Sequence, residues 1–174
     1  MKTLTIYDKS IFWWQNLLID DEDFEKVSKV SKSIRKDSGG RKSLRIYTNG
    51  SSISLTNFIL NLDKSVLIDH KDRNQFNNQK SNLRICNSQQ NNFNKGPITG
   101  QYKGVSYNKE NSKWKAQIMK THKNYHIGYF NTEIEAAKAY DKKAKKLFGE
   151  FAYLNFPETN NSQKHETLIK KEQN

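Results

Sequence analysis

Asp69 is followed at once by His70, and single asparagines recur behind the pair at Asn82, Asn91 and Asn94. A carboxylate can hold a hard divalent cation, and an imidazole can take a proton from water. Together these are the parts that hydrolysis of a phosphodiester requires. The ordinary imidazole pKa, about 6.5, suits proton transfer at neutral pH. Adjacent side chains of an extended strand point to opposite faces, so the two converge on one site only where the strand ends and the chain bends. The flanking residues supply such a bend. Val66-Leu67-Ile68 is apolar and strand-like, Lys71 to Ser81 is nearly all polar and reads as a loop, and the polar stretch that follows is helix-compatible. Asparagine is abundant throughout the chain, so each one alone is weak evidence; the joint pattern carries the argument.

The composition constrains what can surround such a site. Only 34% of the 174 residues are hydrophobic, with Lys and Asn in excess, so two or three small modules fit better than one large core. Thirty Lys and Arg against eighteen Asp and Glu give a net charge of +12 and a pI near 9.6. That balance favours a polyanionic partner, although charge speaks of attraction and not of fold. Cys86 is the single cysteine, so the chain has neither an internal disulfide framework nor a cysteine-based zinc site; no structural zinc is expected, and the usage fits a reducing compartment. No sustained apolar run marks a signal peptide or a membrane span. An intracellular, non-secreted protein is the expectation.

Punctuation along the chain predicts an α+β protein. Residues 1–40 are the least legible: apolar Ile11-Phe12-Trp13-Trp14 and Leu17-Leu18-Ile19 precede the acidic Asp20-Asp21-Glu22-Asp23, which suits the start of a short helix through Phe24, Val27 and Val30. Ser38-Gly39-Gly40 reads as a turn. Leu44 to Thr48 and Ser51 to Leu55 alternate around Asn49-Gly50, a β-hairpin signal. A short helix over Asn57 to Leu62 then leads to the Asp-His segment. Residues 41–95 thus form one module, residues 96–101 a Gly/Pro linker, and residues 102–157 a second module. In the second, Gly104 to Tyr107, Lys113 to Lys120 and Tyr125 to Phe130 read as strands, with Trp114, Ala116 and Ile118 on one face of the middle strand and Tyr125, Ile127 and Tyr129 facing inward on the third. Glu133 to Phe148 reads as a helix with Thr132 as N-cap and Gly149 as its stop. Residues 158–174 form a polar tail expected to be disordered.

Val66-Leu67-Ile68-Asp69-His70, Asn77-Asn78, Ser81-Asn82-Leu83-Arg84 and Gln89-Gln90-Asn91-Asn92-Phe93-Asn94 resemble, in order and spacing, the ββα-metal site of the HNH nucleases, in the subgroup whose final histidine is asparagine. That resemblance implies Asp69 and Asn91 as metal ligands, His70 as general base, Asn82 as holder of the loop that positions His70, and Asn94 as a site neighbour. It implies Mg²⁺, or another divalent cation such as Mn²⁺, as cofactor. Two departures stand out: Asn77-Asn78-Gln79 replaces the usual Asp-Asn-Arg, with loss of a charge pair expected to loosen the loop, and Thr56-Asn57 replaces a frequent His-Arg.

Tyr102-Lys103-Gly104-Val105, Lys113 to Ile118, His126 to Phe130, Glu135 to Asp141 and Leu154-Asn155-Phe156-Pro157 are similar to the APETALA2-type, ethylene-response-factor-like DNA-binding domain. With the site before it, the arrangement resembles HNH homing endonucleases of phage and mobile-element type. Independently, a three-stranded antiparallel sheet backed by one helix leaves one sheet face free to lie in a major groove. The residues expected on that face are Lys103, Ser106, Lys115, Gln117, Met119, Asn124 and His126. Several of these positions are arginine in the plant domains, so their base preference does not carry over.

The expectation is therefore a metal-dependent endonuclease of double-stranded DNA. It has no membrane partner and acts as a monomer or weak dimer on DNA, cutting one strand per site. A non-catalytic DNA-binding regulator with a structural ββα region is the alternative, and RNA cleavage is a third possibility that site chemistry alone leaves open.

Overall fold

The computed structural model describes residues 2–8, 13–36, 42–48 and 50–157. The expected turns at Ser38-Gly39-Gly40 and at Asn49, and the tail beyond Pro157, lie outside the described residues. The protein is α+β, and the chain divides into two compact units, Met1–Lys95 and Gly96–Asn174. No helix among the described residues is long and apolar enough to cross a membrane.

The first unit contains β1 (Lys2–Asp8), β2 (Trp13–Ile19), α1 (Asp21–Ser28), β3 (Ser31–Lys36), β4 (Lys42–Thr48), β5 (Ser51–Ser54), α2 (Leu55–Leu60), β6 (Leu67–His70), β7 (Leu83–Cys86) and α3 (Ser88–Phe93). β1 and β2 form an antiparallel hairpin, β3-β4-β5 an antiparallel sheet, and β6 and β7 a second hairpin. The illegible first forty residues supply half of a single core. Ile6, Leu17, Ile19 and Val27 are buried with Leu44, Ile46, Leu55 and Ile59. α1 stops at Ser28, so Val30 falls beyond the helix expected to include it. Ser54 ends β5 and caps α2, its hydroxyl accepting from the Asn57 N–H at 3.1 Å. Asn57 is itself buried. Its amide donates to the carbonyls of Asp63 (2.7 Å) and Val66 (2.9 Å) and so fixes the approach to β6. The residue that departs from the HNH pattern at this point is therefore a brace.

The sequence after the polar loop is helix-compatible, and the structure corrects this expectation: Leu83–Cys86 is a strand paired with β6, and the helix begins only at Ser88. Four residues are too few for periodicity to register, and pairing with β6 decides their conformation.

The second unit holds β8 (Val105–Asn108), β9 (Lys113–Lys120), β10 (Lys123–Phe130) and α4 (Glu133–Phe148), with the strands in the antiparallel order β10-β9-β8. α4 starts in a capping box: the Thr132 hydroxyl accepts from the Glu135 N–H and the Glu135 carboxylate from the Thr132 N–H, both at 3.2 Å. Ala136, Ala137, Tyr140 and Ala144 are buried on α4, as are Ala116 and Ile118 on β9. Asp141, also on the buried side, ties the ends of the unit together. Its carboxylate accepts from the backbone N–H of Asn155 and of Phe156, both at 2.8 Å, while the Asn155 amide oxygen accepts from the Lys103 N–H at 2.8 Å.

Gly104 is required where it stands. Its φ is +75°, and a Cβ there would run into the Tyr140 ring and the Gln117 carbonyl. Gly104→Ala is expected to destabilise this unit by about 2–5 kcal/mol, combining roughly 1–2 for a left-handed backbone with roughly 1–3 for overpacking. Hydrogen exchange over β9 and α4 reads this directly, and unaltered protection would contradict it.

Candidate functional site

β6 ends at His70, where the backbone turns: the Arg73 N–H donates to the His70 carbonyl at 2.9 Å and the Lys71 N–H to the Asn82 carbonyl at 2.9 Å. Asp69 and His70 are successive residues of the strand and find partners on different elements.

Asp69 is buried. Opposite it on β7 lies Arg84, whose Nε and Nη2 donate to Asp69 Oδ2 at 2.9 and 2.6 Å. From the end of α3, the Asn94 amide donates to both Asp69 oxygens at 3.1 Å and to the His70 carbonyl at 2.8 Å. The sequence places Arg84 in a motif without a role and gives Asn94 only as a site neighbour; the grip of both on Asp69 emerges once β7 sets Arg84 directly across the ladder.

His70 is half-buried and reaches the loop. Its Nε2 lies 3.3 Å from Asn78 Oδ1. Asn78 is almost wholly buried and its amide nitrogen donates to the Gln75 carbonyl at 3.1 Å, which turns its oxygen toward the ring. In the neutral imidazole this makes Nε2 the donor and leaves Nδ1 as the acceptor. Burial holds the imidazole below its usual pKa, against the upward pull of Asn78, Asp72 and Asp69. Sequence reasoning noticed Asn78 only as part of a substituted tripeptide.

Asn82 lies in the loop closure, and among the described residues no hydrogen bond joins its side chain to the ring. Its amide donates to Asp72 Oδ1 (2.9 Å) and the Asn77 carbonyl (2.8 Å), and its oxygen accepts from the Asp72 N–H (3.0 Å). The expected looseness from the lost charge pair is offset elsewhere. Asn77 still donates to Asp72 Oδ2 at 2.8 Å. The Leu18 backbone exchanges hydrogen bonds of 2.8 Å with Phe76 and Asn78. Asp20 accepts from the Lys80 N–H at 2.7 Å and from Gln79 Nε2 at 3.3 Å, and Lys80 pairs with Glu22 and Asp23. The acidic start of α1 is thus a clasp for the loop.

Asn91 is half-buried on α3, three positions before Asn94 and therefore on the same side of the helix. No side-chain hydrogen bond joins it to Asp69 or His70 among the described residues. The start of α3 is set by a capping box between Asn87 and Gln90, both bonds 2.8 Å. No cluster of three or more His, Cys, Asp or Glu side chains suited to a metal exists among the described residues. The available donors are one carboxylate and amide oxygens. A carboxylate has about four acceptor positions, so the bonds from Arg84 and Asn94 do not exhaust Asp69 Oδ1. A hard cation that keeps several waters fits so sparse an oxygen set.

In the second unit the cross-strand register sorts the expected DNA-facing residues. Ser106 pairs with Lys115, His126 with Gln117 and Asn124 with Met119, all on the face opposite buried Ala116 and Ile118. Lys103 lies outside this register. It lies before β8, and its ammonium sits 5.4 Å from the Tyr153 ring centroid. A bulge between His126 and Gly128 breaks the alternation of β10. Beyond it Tyr129 pairs with Lys115 on the outer face and Phe130 with Trp114 on the inner one, correcting the inward assignment of Tyr129. The Tyr129 and His126 rings lie 4.7 Å apart on that outer face.

Residues 100–150 match the family model of the AP2 domain. Over 60 residues, a third of this chain, the sequence is 43% identical to dehydration-responsive element-binding protein 2D of Arabidopsis thaliana, covering 29% of that protein. Over 58 residues it is 36% identical to the AP2-like ethylene-responsive transcription factor TOE2 of the same plant, covering 12% of it. A longer match, 40% identical over 94 residues, is to an uncharacterized HNH endonuclease of Acanthamoeba polyphaga mimivirus; it covers 54% of this chain and 49% of the viral protein. That match is longer than the whole chain from residue 100 onward, so it includes residues outside the AP2 region. The chain spans half or less of the length of the curated relatives it matches. No solved structure matches.

Proposed function

We propose that this chain is a divalent-metal-dependent endonuclease of duplex DNA: the first unit cuts and the AP2 region holds the substrate. One observation carries the reading. An imidazole at the end of a strand has one nitrogen held by a buried asparagine and the other left as acceptor, beside a buried carboxylate, on a hairpin backed by a helix. This arrangement supports the ββα reading that the HNH resemblance implies. The viral relative, named an HNH endonuclease, supports it.

His70 Nδ1 takes a proton from the attacking water. Asn78 fixes the tautomer, and Asn82 fixes the loop that carries Asn78. Asp69 Oδ1 and the Asn91 amide oxygen would hold the cation, Mg²⁺ or Mn²⁺, which when bound supplies Lewis-acid stabilisation of charge on the phosphate and leaving oxygens. One base serves one strand, so a double-strand break takes two sites or two visits. The Arg84–Asp69 ion pair favours a second reading, a DNA-binding regulator with a purely structural hairpin, because it already neutralises the carboxylate that a cation would need. Labelled duplex DNA and structured RNA incubated with the full chain in Mg²⁺ and in EDTA separate the readings. The proposal expects Mg²⁺-dependent cleavage of the duplex; cleavage of RNA alone, or of neither, would refute it.

The AP2 region contributes affinity through its outer sheet face. Lys115→Ala is expected to flatten the log–log dependence of duplex affinity on salt by about one unit, because each phosphate neutralised contributes roughly 0.9 to the slope. Lys103→Ala is expected to leave the slope unchanged, given its position at Tyr153. Equal effects of the two would contradict this division.

A further inference from the structure

The sheet β3-β4-β5 has an outward face that the nuclease reading does not use. Its inward face carries Leu44 and Ile46 into the core, with Ile34 and Ile53 packed against them. Alternation places Ser43, Arg45 and Tyr47 on the other side of β4, and the register sets Ser33 across from Arg45, Arg35 across from Ser43 and Ser52 across from Tyr47. The outward surface is thus built of hydroxyls and guanidinium groups around one tyrosine. None of the three strands contains an acidic residue.

The two arginines are oriented by bonds to neutral oxygens. Arg35 Nε donates to the Tyr47 hydroxyl at 2.7 Å, with its guanidinium 5.5 Å from the ring centroid, and Ser33 donates to the same hydroxyl at 3.1 Å. Arg45 Nη2 donates to the Ser52 carbonyl and hydroxyl at 3.2 and 3.1 Å. Among the described residues the only large apolar group on this face is the Tyr47 ring, so it is not a hydrophobic docking patch. Serines keep the surface low, and a guanidinium fork matches phosphate oxygens. The face is also tied to the candidate active site within one unit, since β5 runs into α2 through the Ser54 cap and Asn57 of α2 holds the residues that lead to β6.

We propose that this face is a second duplex-DNA contact, in which Arg35 and Arg45 grip the phosphate backbone and seat the cleaving unit independently of the AP2 region. The inference rests on the reading of the chain as one that acts on duplex DNA, and it names how the first unit holds that substrate. The test uses the full chain carrying His70→Ala, so that binding is measured without cutting. Anisotropy of a labelled duplex is followed over a salt series, with thermal melting as a check on folding. Adding Arg35→Gln and Arg45→Gln together is expected to weaken binding and flatten the salt slope by roughly 1.8, at about 0.9 per phosphate; the paired Arg→Lys changes should keep most of it. Ser43→Glu, at an exposed position on the same face, places a negative charge there without removing any hydrogen bond named above and should weaken binding several-fold. Should the Gln pair unfold the unit, Ser43→Glu decides alone. Unchanged affinity and slope in a folded Gln pair, or in Ser43→Glu, would overturn the proposal. The nuclease reading is scored separately by cutting with His70 intact: a chain that cuts while Ser43→Glu binds normally loses only this surface, and a chain that never cuts while Ser43→Glu weakens binding loses only the nuclease reading.

Discussion

His70→Ala is expected to lower the rate of duplex DNA cleavage by about 10²–10⁴-fold, the usual contribution of a positioned general base. Binding and folding should be nearly unchanged. The imidazole is half-buried, and its one side-chain hydrogen bond among the described residues is the 3.3 Å contact with Asn78; Asn78 itself stays anchored through Gln75 and Leu18. A structural histidine would behave differently, because its removal would loosen the loop and lower stability along with rate. Single-turnover cleavage at saturating enzyme, measured beside the melting temperature, distinguishes the two. An unchanged rate would remove His70 from the mechanism.

Asp69→Ala should have the largest effect on stability. The Asp69 and Arg84 side chains are only 7% and 9% exposed, and removing one partner of a buried ion pair leaves an uncompensated charge at a cost of about 3–5 kcal/mol. The loss adds to any loss of cation binding, so the Ala variant alone cannot separate the two roles. Asp69→Asn keeps the shape and an acceptor for Arg84 while removing the negative charge. It should retain more of the fold than Ala and still fail to cut in Mg²⁺. Urea unfolding of wild type, Asn and Ala variants, followed by far-ultraviolet circular dichroism, should rank them in that order of stability. Equal stability of Ala and wild type would mean that the pair is not the linchpin of the hairpin.

The elements legible in the sequence are those whose periodicity is long enough to speak. Glu133–Phe148 announces itself by small apolar residues at helical spacing and a Thr–Glu capping box, and Lys113–Lys120 by strict alternation; both have the expected bounds. The illegible parts depend on long-range partners. β7 has four residues and takes its conformation from β6. The side of β10 on which Tyr129 lies is decided by a one-residue bulge that inverts every later position. The first forty residues looked irregular because β2 and α1 pack against β4 and α2, far along the chain. At the candidate site, Asp69, His70 and the asparagines behind them stood out by type and spacing. Asn78, Arg84 and Asp20 did not, because each acts through a partner between eight and sixty residues away.

Cleavage of supercoiled plasmid by the purified full chain tests the central claim most directly. The predicted result is conversion to nicked circles in Mg²⁺, no conversion in EDTA, and linear product only after nicks accumulate. Intact plasmid in Mg²⁺ despite tight binding to the DNA, or cleavage that persists in EDTA, would contradict it.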